Sequence, residues 1–199
     1  MTSLEQALRQ IHTDLTNARA SFAVVGGLAV SARTEPRFTR DADLAVALAG
    51  DAEVEALIQQ LRKHDYQITA VVEQEAVGRL ATVRLRRLST GREPVIDLLF
   101  ASSGIEPEIV SEAETIELLP GLAMPVARTG HLLALKVLSR DDVRRPQDLV
   151  DLRALLRVAS SAELARAREA LALIAARGYH RGRELLSELD KLGSGTAPE

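Results

Sequence analysis

The chain of 199 residues contains no cysteine, which excludes disulfides and thiolate-held metals. Its four histidines, His12, His64, His131 and His180, stand far apart and show no metal-ligand spacing. No apolar run approaches the roughly 20 residues that a membrane helix requires, so no membrane partner is expected. The opening segment MTSLEQALRQIHTDL is amphipathic and charged, unlike a signal peptide, and a cytoplasmic protein is expected. A basic excess is missing as well: 25 Lys and Arg against 28 Asp and Glu leave a net charge of −3. That removes the strong electrostatic footprint of a general nucleic-acid binder. The chain shows neither an internal repeat nor a low-complexity linker. What it does have is ordinary for a globular protein, 46% hydrophobic and 27% charged residues, on a length that buries a core without covalent staples.

The first 20 residues carry Leu4, Leu8, Ile11 and Leu15 at helical spacing, with Ser3 and Gln6 as a capping-box pattern. SFAVVGG reads as a short strand broken by glycine, and LAVSAR as a restarting helix. DADLAVAL is a second strand, with Gly50 and Asp51 as turn and cap. AEVEALIQQLRKH is a helix, YQITAVV and ATVRLRRL are strands, STGRE is a turn and PVIDLLFA is an apolar strand. The segment 105–128 reads less clearly, with PGLAMPVA as a turn and short strand. From Thr129 onward the period is helical in four successive segments, starting at residues 129, 145, 161 and 180. The expected fold class is α+β: a mixed β-sheet with flanking helices over residues 1–128, then a C-terminal helical bundle over 129–192. The tail 193–199, GSGTAPE, is expected to be disordered.

One stretch stands out, FAVVGGLAVSARTEPRFTRDADLAV at residues 22–46. An apolar strand ends in Gly26-Gly27, and 13 residues intervene before Asp41-Ala-Asp43. Asp41 and Asp43, at i and i+2 on a strand, share one face. Two carboxylates that close repel. A hard divalent cation such as Mg²⁺ removes that cost and completes its shell with phosphate oxygens and water. A third acid, Asp97, sits between Ile96 and Leu98, where a carboxylate is costly unless paired or metal-bound. Three acids on neighbouring strands suit the two-metal arrangement of phosphoryl or nucleotidyl transfer. The glycines at a strand-to-helix junction offer backbone N–H groups to a triphosphate.

The apolar residue, Gly-Gly pair, 13-residue spacer and Asp-Ala-Asp-Leu resemble the signature of the DNA polymerase β-like nucleotidyltransferase superfamily. That resemblance implies Asp41 and Asp43 as metal ligands, with Asp97 as third acid and base or base relay for an attacking hydroxyl. The second glycine position is often serine there; here it is Gly27, which leaves only its backbone N–H for a phosphate. Further on, LLALKVLSRDDVRRPQDLVDL is similar to the closing motif of the AbiEii-type nucleotidyltransferase toxins, the group that includes the MenT toxins. Lys136 matches its lysine, and Arg145 and Asp148 match its Arg-x-x-Asp element. Relatives commonly show Lys-Asp where this chain has Gln147-Asp148. The resemblance spans residues 22–157 in pieces. It implies an Mg²⁺-dependent transfer of a nucleotide monophosphate from an NTP to an acceptor hydroxyl, with a tRNA acceptor and a cognate antitoxin as partners. Gly26, Gly27, Arg40 and Lys136 are then the expected contacts to the nucleotide, and Asp148 holds Lys136 or touches ribose or base.

Other readings stay open on the sequence alone. Asp97 also fits a structural acid paired with an arginine such as Arg84. Asp148 and Asp151 fit helix N-terminal acids after Pro146. Lys136, in a helix apolar nearly all round, either snorkels to solvent or pairs. Arg37 and Arg40 fit ordinary surface arginines. At the level of function, a small-molecule nucleotidyltransferase of the antibiotic-modifying kind and a non-catalytic nucleotide-binding partner protein remain as alternatives.

Overall fold

The computed structural model describes residues 2–74, 76–87, 94–144 and 146–194. The expected turn at 89–93 and Arg145 lie outside the described residues, as does the tail beyond 194.

Helix α1 (Ser3–Asn17) buries Leu8, Ile11 and Leu15. Its N-cap is Thr2, whose hydroxyl accepts from the Glu5 N–H at 3.2 Å. The cap therefore falls one residue ahead of the expected Ser3, since Thr2-x-x-Glu5 is itself a capping-box sequence. Strand β1 (Ser21–Val25) leads directly into α2 (Gly26–Arg33), and after a loop the chain enters β2 (Ala42–Ala47). Helix α3 (Asp51–Arg62) is followed by the long pair β3 (Tyr66–Gln74) and β4 (Arg79–Arg87), then β5 (Ile96–Leu99). The segment that read poorly forms α4 (Glu106–Ser111) and the hairpin β6 (Glu114–Leu119) and β7 (Leu122–Val126). Gly121, with φ +69°, makes its tight turn.

The seven strands form one mixed sheet in the order β3-β4-β5-β2-β1-β7-β6. β2 pairs antiparallel with β1 and parallel with β5, while β1 pairs parallel with β7. The central strands β1, β2 and β5 are apolar because helices cover them, and Phe22 to Val25 are all buried.

The helices α5 (Thr129–Ser139), α6 (Pro146–Val158), α7 (Ser161–Ala176) and α8 (Leu185–Ser194) follow the sheet. α5 is the hub. It packs on α2, α6, α7 and α8 and buries Leu132, Leu133, Ala134, Val137 and Leu138. Its approach to α7 is close: a Cβ on Gly130 would stand 2.5 Å from the Glu163 carbonyl. The Gly130 N–H donates to Glu163 Oε2 at 2.6 Å, so α7 satisfies the open N-terminus of α5. The last helix begins at Leu185 rather than at 180, because Arg181 and Gly182 take left-handed backbone, φ +55° and +70°. It runs on to Ser194 and takes Gly193 and Ser194 into helix.

Candidate active site

The site is built at the junction of β1 and α2. Val25 ends the strand in extended backbone, and Gly26 turns the chain with φ +63°. A Cβ on Gly26 would lie 1.9 Å from Asp43 Oδ2. Only glycine lets the Asp43 carboxylate press against the first turn of α2, the positive end of the helix. That turn carries no side-chain cap, so its backbone N–H groups face the same space as the carboxylate.

Sheet register assembles the acids. Asp43 is the partner of Val25 on β1 and of Asp97 on β5. Asp97 is in turn the partner of Arg84 on β4. Register partners point to one face, so Arg84, Asp97 and Asp43 form a row, whereas Asp41, expected on the same strand, lies on the loop just ahead of β2 because the strand begins only at Ala42. The Arg84 guanidinium grips Asp97 in a fork, Nε to Oδ1 at 2.9 Å and Nη2 to Oδ2 at 2.8 Å. Those bonds from Asp97 raise the Arg84 pKa above its ordinary value against the opposing effect of burial, and the charges of Asp97, Asp41 and Asp43 raise it further.

Opposite the sheet, α5 and α6 supply a second charged group. Lys136 Nζ donates to Asp148 Oδ1 at 2.6 Å and stands 2.9 Å from Asp151 Oδ2. The Ser139 hydroxyl donates to Asp148 Oδ2 at 3.0 Å. Asp151 also accepts from Arg37 Nη2 at 2.8 Å and from Gln147 Nε2 at 3.1 Å. Burial pushes the Asp151 carboxyl up, but hydrogen bonding and charge from Lys136, with the bonds from Gln147 and Arg37, outweigh it and hold it below its ordinary value. Arg37 reaches this network by crossing over Gly27, where a Cβ would meet its Nη2 at 2.6 Å. The second glycine thus makes room for an arginine.

Between the two groups lies a cavity of about 390 Å³. Gly26, Gly27, Asp43, Asp97, Lys136 and Asp148 all line it, together with Arg84, Ser102, Ser103 and Arg181. Asp41 and Arg40 are exposed on the loop that enters β2, and Arg40 stacks over Phe38 at 5.6 Å from the ring centre. The loop after β5 is fixed by Glu106, buried, whose Oε1 accepts from the backbone N–H and hydroxyl of both Ser102 and Ser103 at 2.8–2.9 Å.

Sequence reasoning left several of these residues without a role. Asp151 was open to reading as a plain N-terminal acid of α6, yet its i+3 spacing from Asp148 puts both on one helix face. Arg37 fitted a surface arginine, and its partner is 114 residues away. Ser102 and Ser103 carried no signal except their place after the Asp97 strand.

A divalent cation suits the oxygen donors here by their chemistry. The cradle at Gly26 holds Asp43 beside the N-terminus of α2, so the carboxylate would hold a cation and the helix N–H groups would take phosphate oxygens. Among the described residues, no group of three or more His, Asp or Glu side chains is gathered as a ready metal site, and Arg84 occupies both oxygens of Asp97.

The chain matches the family model described as nucleotidyl transferase AbiEii toxin, type IV toxin–antitoxin system, over residues 9–196. No curated protein matches it in sequence. Among solved structures it is similar to an antigenic nucleotidyltransferase-like protein from Paracoccidioides brasiliensis, at 20% identity and a TM-score of 0.55, covering 94% of this chain and 92% of that one. That likeness is one of fold. Further matches include ANT(2")-Ia in complex with adenylyl-2"-tobramycin, at 16% identity over 98% of this chain and 100% of that one, TM-score 0.49. MenT4, the nucleotidyltransferase toxin Rv2826c of Mycobacterium tuberculosis H37Rv, matches at 16% identity over 86% and 84%, TM-score 0.33.

Proposed function

The chain belongs to the AbiEii nucleotidyltransferase toxin family, and from that premise we propose that this nucleotidyltransferase moves a nucleotide monophosphate from an NTP to an RNA hydroxyl, with tRNA as the acceptor. The observation that carries the reading is the single cavity that gathers Gly26, Gly27, Asp43, Asp97 and Lys136. The acceptor oxygen bonds to the α-phosphorus, the bond from that phosphorus to the bridging oxygen breaks, and pyrophosphate leaves. Asp97 takes or relays the hydroxyl proton. The backbone N–H groups of Gly26 and Gly27, with Arg40 and Lys136, hold the phosphates. Asp148 and Asp151 fix the Lys136 ammonium in place. Asp41, Asp43 and Asp97 are the oxygen donors for Mg²⁺, which when bound supplies charge neutralisation at the phosphates.

An anionic acceptor is favoured by what adjoins the cavity. A basin of about 510 Å³ lined by Arg140, Arg144, Arg181 and Arg183 shares Leu138, Ser139 and Arg181 with it. Arg140 and Arg183 pair with Asp142 and Glu188, and Asp141 also lines the basin, so guanidinium and carboxylate groups alternate there. The guanidinium groups of the basin suit the phosphates of an RNA backbone that runs past the cavity. The division of labour follows the chain: the α/β domain to residue 128 carries the acids, and the helical domain 129–192 carries Lys136, Asp148 and most of the basin. Such a reaction takes place in the cytoplasm, where NTPs and tRNA are, and the toxin is held in check by a cognate antitoxin protein.

The test is transfer of each labelled NTP, with Mg²⁺, to total RNA, beside an Asp41→Ala/Asp43→Ala double variant. Label in the tRNA band with the intact protein only is the expected result. Label on small hydroxylated acceptors and none on RNA would overturn the acceptor assignment, and nucleotide binding without any transfer would overturn the catalytic reading.

A further inference from the structure

Arg84 has no part in the transfer as written, yet it stands on the acids that the transfer needs. Its fork covers both oxygens of Asp97. The charges of Asp41 and Asp43 act on it as well. It is therefore the direct partner of Asp97 and stands within the field of the other two carboxylates assigned to the divalent cation. The two ends of the pair are held very differently. Asp97 is fixed on a central strand with its side chain 13% exposed, while the Arg84 side chain is 49% exposed on a long stem. A guanidinium so placed leaves its partner at low cost, and the carboxylate stays. Arg84 also lines the cavity that holds Gly26, Gly27 and Lys136. The planar fork that fits a carboxylate fits a phosphate equally well.

We propose that Arg84 is a displaceable counter-ion, which neutralises Asp97 in the metal-free protein, yields it when the divalent cation and NTP are loaded, and then pairs with the phosphate oxygens of the nucleotide. This rests on the nucleotidyltransferase reading above. It accounts for two facts together. Asp43 and Asp97 are register partners on neighbouring strands, at a cost that an arginine offsets. And Arg84 takes both oxygens of Asp97 while its own side chain stays half exposed. A permanent Arg84–Asp97 pair would leave only Asp41 and Asp43 for the metal; an exchangeable one leaves all three.

The experiment is Mn²⁺ binding by the full-length protein without nucleotide, followed by electron paramagnetic resonance, for the unaltered chain, Arg84→Met, Arg84→Lys and the Asp41→Ala/Asp43→Ala double variant. Arg84→Met should bind Mn²⁺ about tenfold more tightly than the unaltered chain, because no counter-ion has to be shed. Arg84→Lys, which keeps the charge and loses the fork, should be tighter by a few-fold, and it stands in if Arg84→Met does not fold. In the transfer assay at saturating Mn²⁺, the KM for NTP should rise about tenfold in Arg84→Met, the loss of one phosphate contact. Unchanged or weaker Mn²⁺ binding in these variants overturns the proposal and leaves Arg84 as a structural partner of Asp97. In that case, Mn²⁺ binding and transfer that are both lost in the double variant keep the nucleotidyltransferase reading intact. An unaltered chain that neither binds Mn²⁺ nor transfers sinks that reading, and this proposal with it.

Discussion

The two walls of the cavity carry similar charges and hold them in opposite ways. On the sheet, Asp43, Asp97 and Arg84 form a single cross-strand row, and the cation of the row is half exposed. On the helices, Lys136 is 13% exposed and Asp151 1%, and Asp151 accepts from three side chains. Water and salt weaken the first group, and its partners can exchange. The second is centred on buried acids that each hold several partners, so removing one of them disturbs the others. One wall is arranged for ligand exchange; the other is a fixed frame that aims an ammonium group into the cavity. Variants on the two walls should therefore fail in different ways.

The largest expected effect is on the sheet wall. Asp43→Ala should lower transfer on the order of 10²–10³-fold or more while the protein stays folded. Asp43 takes part in the proposed chemistry, and its removal relieves repulsion with Asp97. Transfer rates beside a thermal melt check this. A large loss of stability in Asp43→Ala, with activity that returns when folding is restored, would erase the contrast between the walls.

On the helical wall, Asp151→Ala should cost about 3 kcal/mol of stability, the low end for a broken buried pair because Lys136 keeps Asp148, read by denaturant unfolding. The pH dependence follows from the direction of its shift. The folded carboxyl ionises below its ordinary value, so its contribution is fully present above the unfolded pKa. That contribution is lost as pH falls through the folded value. Asp151→Asn should therefore flatten the acid limb of the stability–pH curve and leave its alkaline side unchanged. An unaltered acid limb would mean that the carboxylate carries no net stabilising charge.

Gly26→Ala tests the contact between strand junction and carboxylate. Left-handed backbone at a residue with a Cβ costs about 1–2 kcal/mol, and here the added carbon also collides with Asp43. The expectation is a modest drop in melting temperature with a disproportionate loss of Mn²⁺ binding, since Asp43 must move. Equal metal binding in the variant would show that the carboxylate relocates without consequence.

The sheet wall was legible in the sequence and the helical wall largely was not, for physical reasons. Gly26-Gly27 and Asp41-x-Asp43 are local, and spacing alone singled them out, although the strand begins only after Asp41. Asp97 declared itself by its cost in an apolar strand, and the structure gives it the Arg84 partner that was one of its two open readings. Lys136 stood out as a cation in a helix apolar nearly all round, and it does pair, while Asp148 was marked as its partner through resemblance to a family motif. Asp151 and Arg37 meet across 114 residues, and such a pair leaves no periodic trace in either segment. The elements followed the same rule. Long amphipathic helices and alternating strands were read nearly as they fold. Residues 105–128, with strands of six and five residues and a one-turn helix, were too short for a period to establish itself.

The smallest effect belongs to Gln147, the neighbour of Asp148 on α6. Its amide donates to Asp151 Oδ1 at 3.1 Å from an exposed position. Gln147→Lys replaces a neutral bond with a solvent-screened ion pair, worth at most about 1 kcal/mol. Asp151 already accepts from Lys136 and Arg37, and a third cation there is opposed by both. The net gain should stay below about 0.5 kcal/mol, with the Asp151 carboxyl pulled lower still. If residue 147 serves only to brace Asp151, the KM for NTP will not move. A several-fold fall in that KM would instead mean that position 147 touches the phosphates. The helical wall would then offer a second cation to the nucleotide and would no longer be merely a frame for the first.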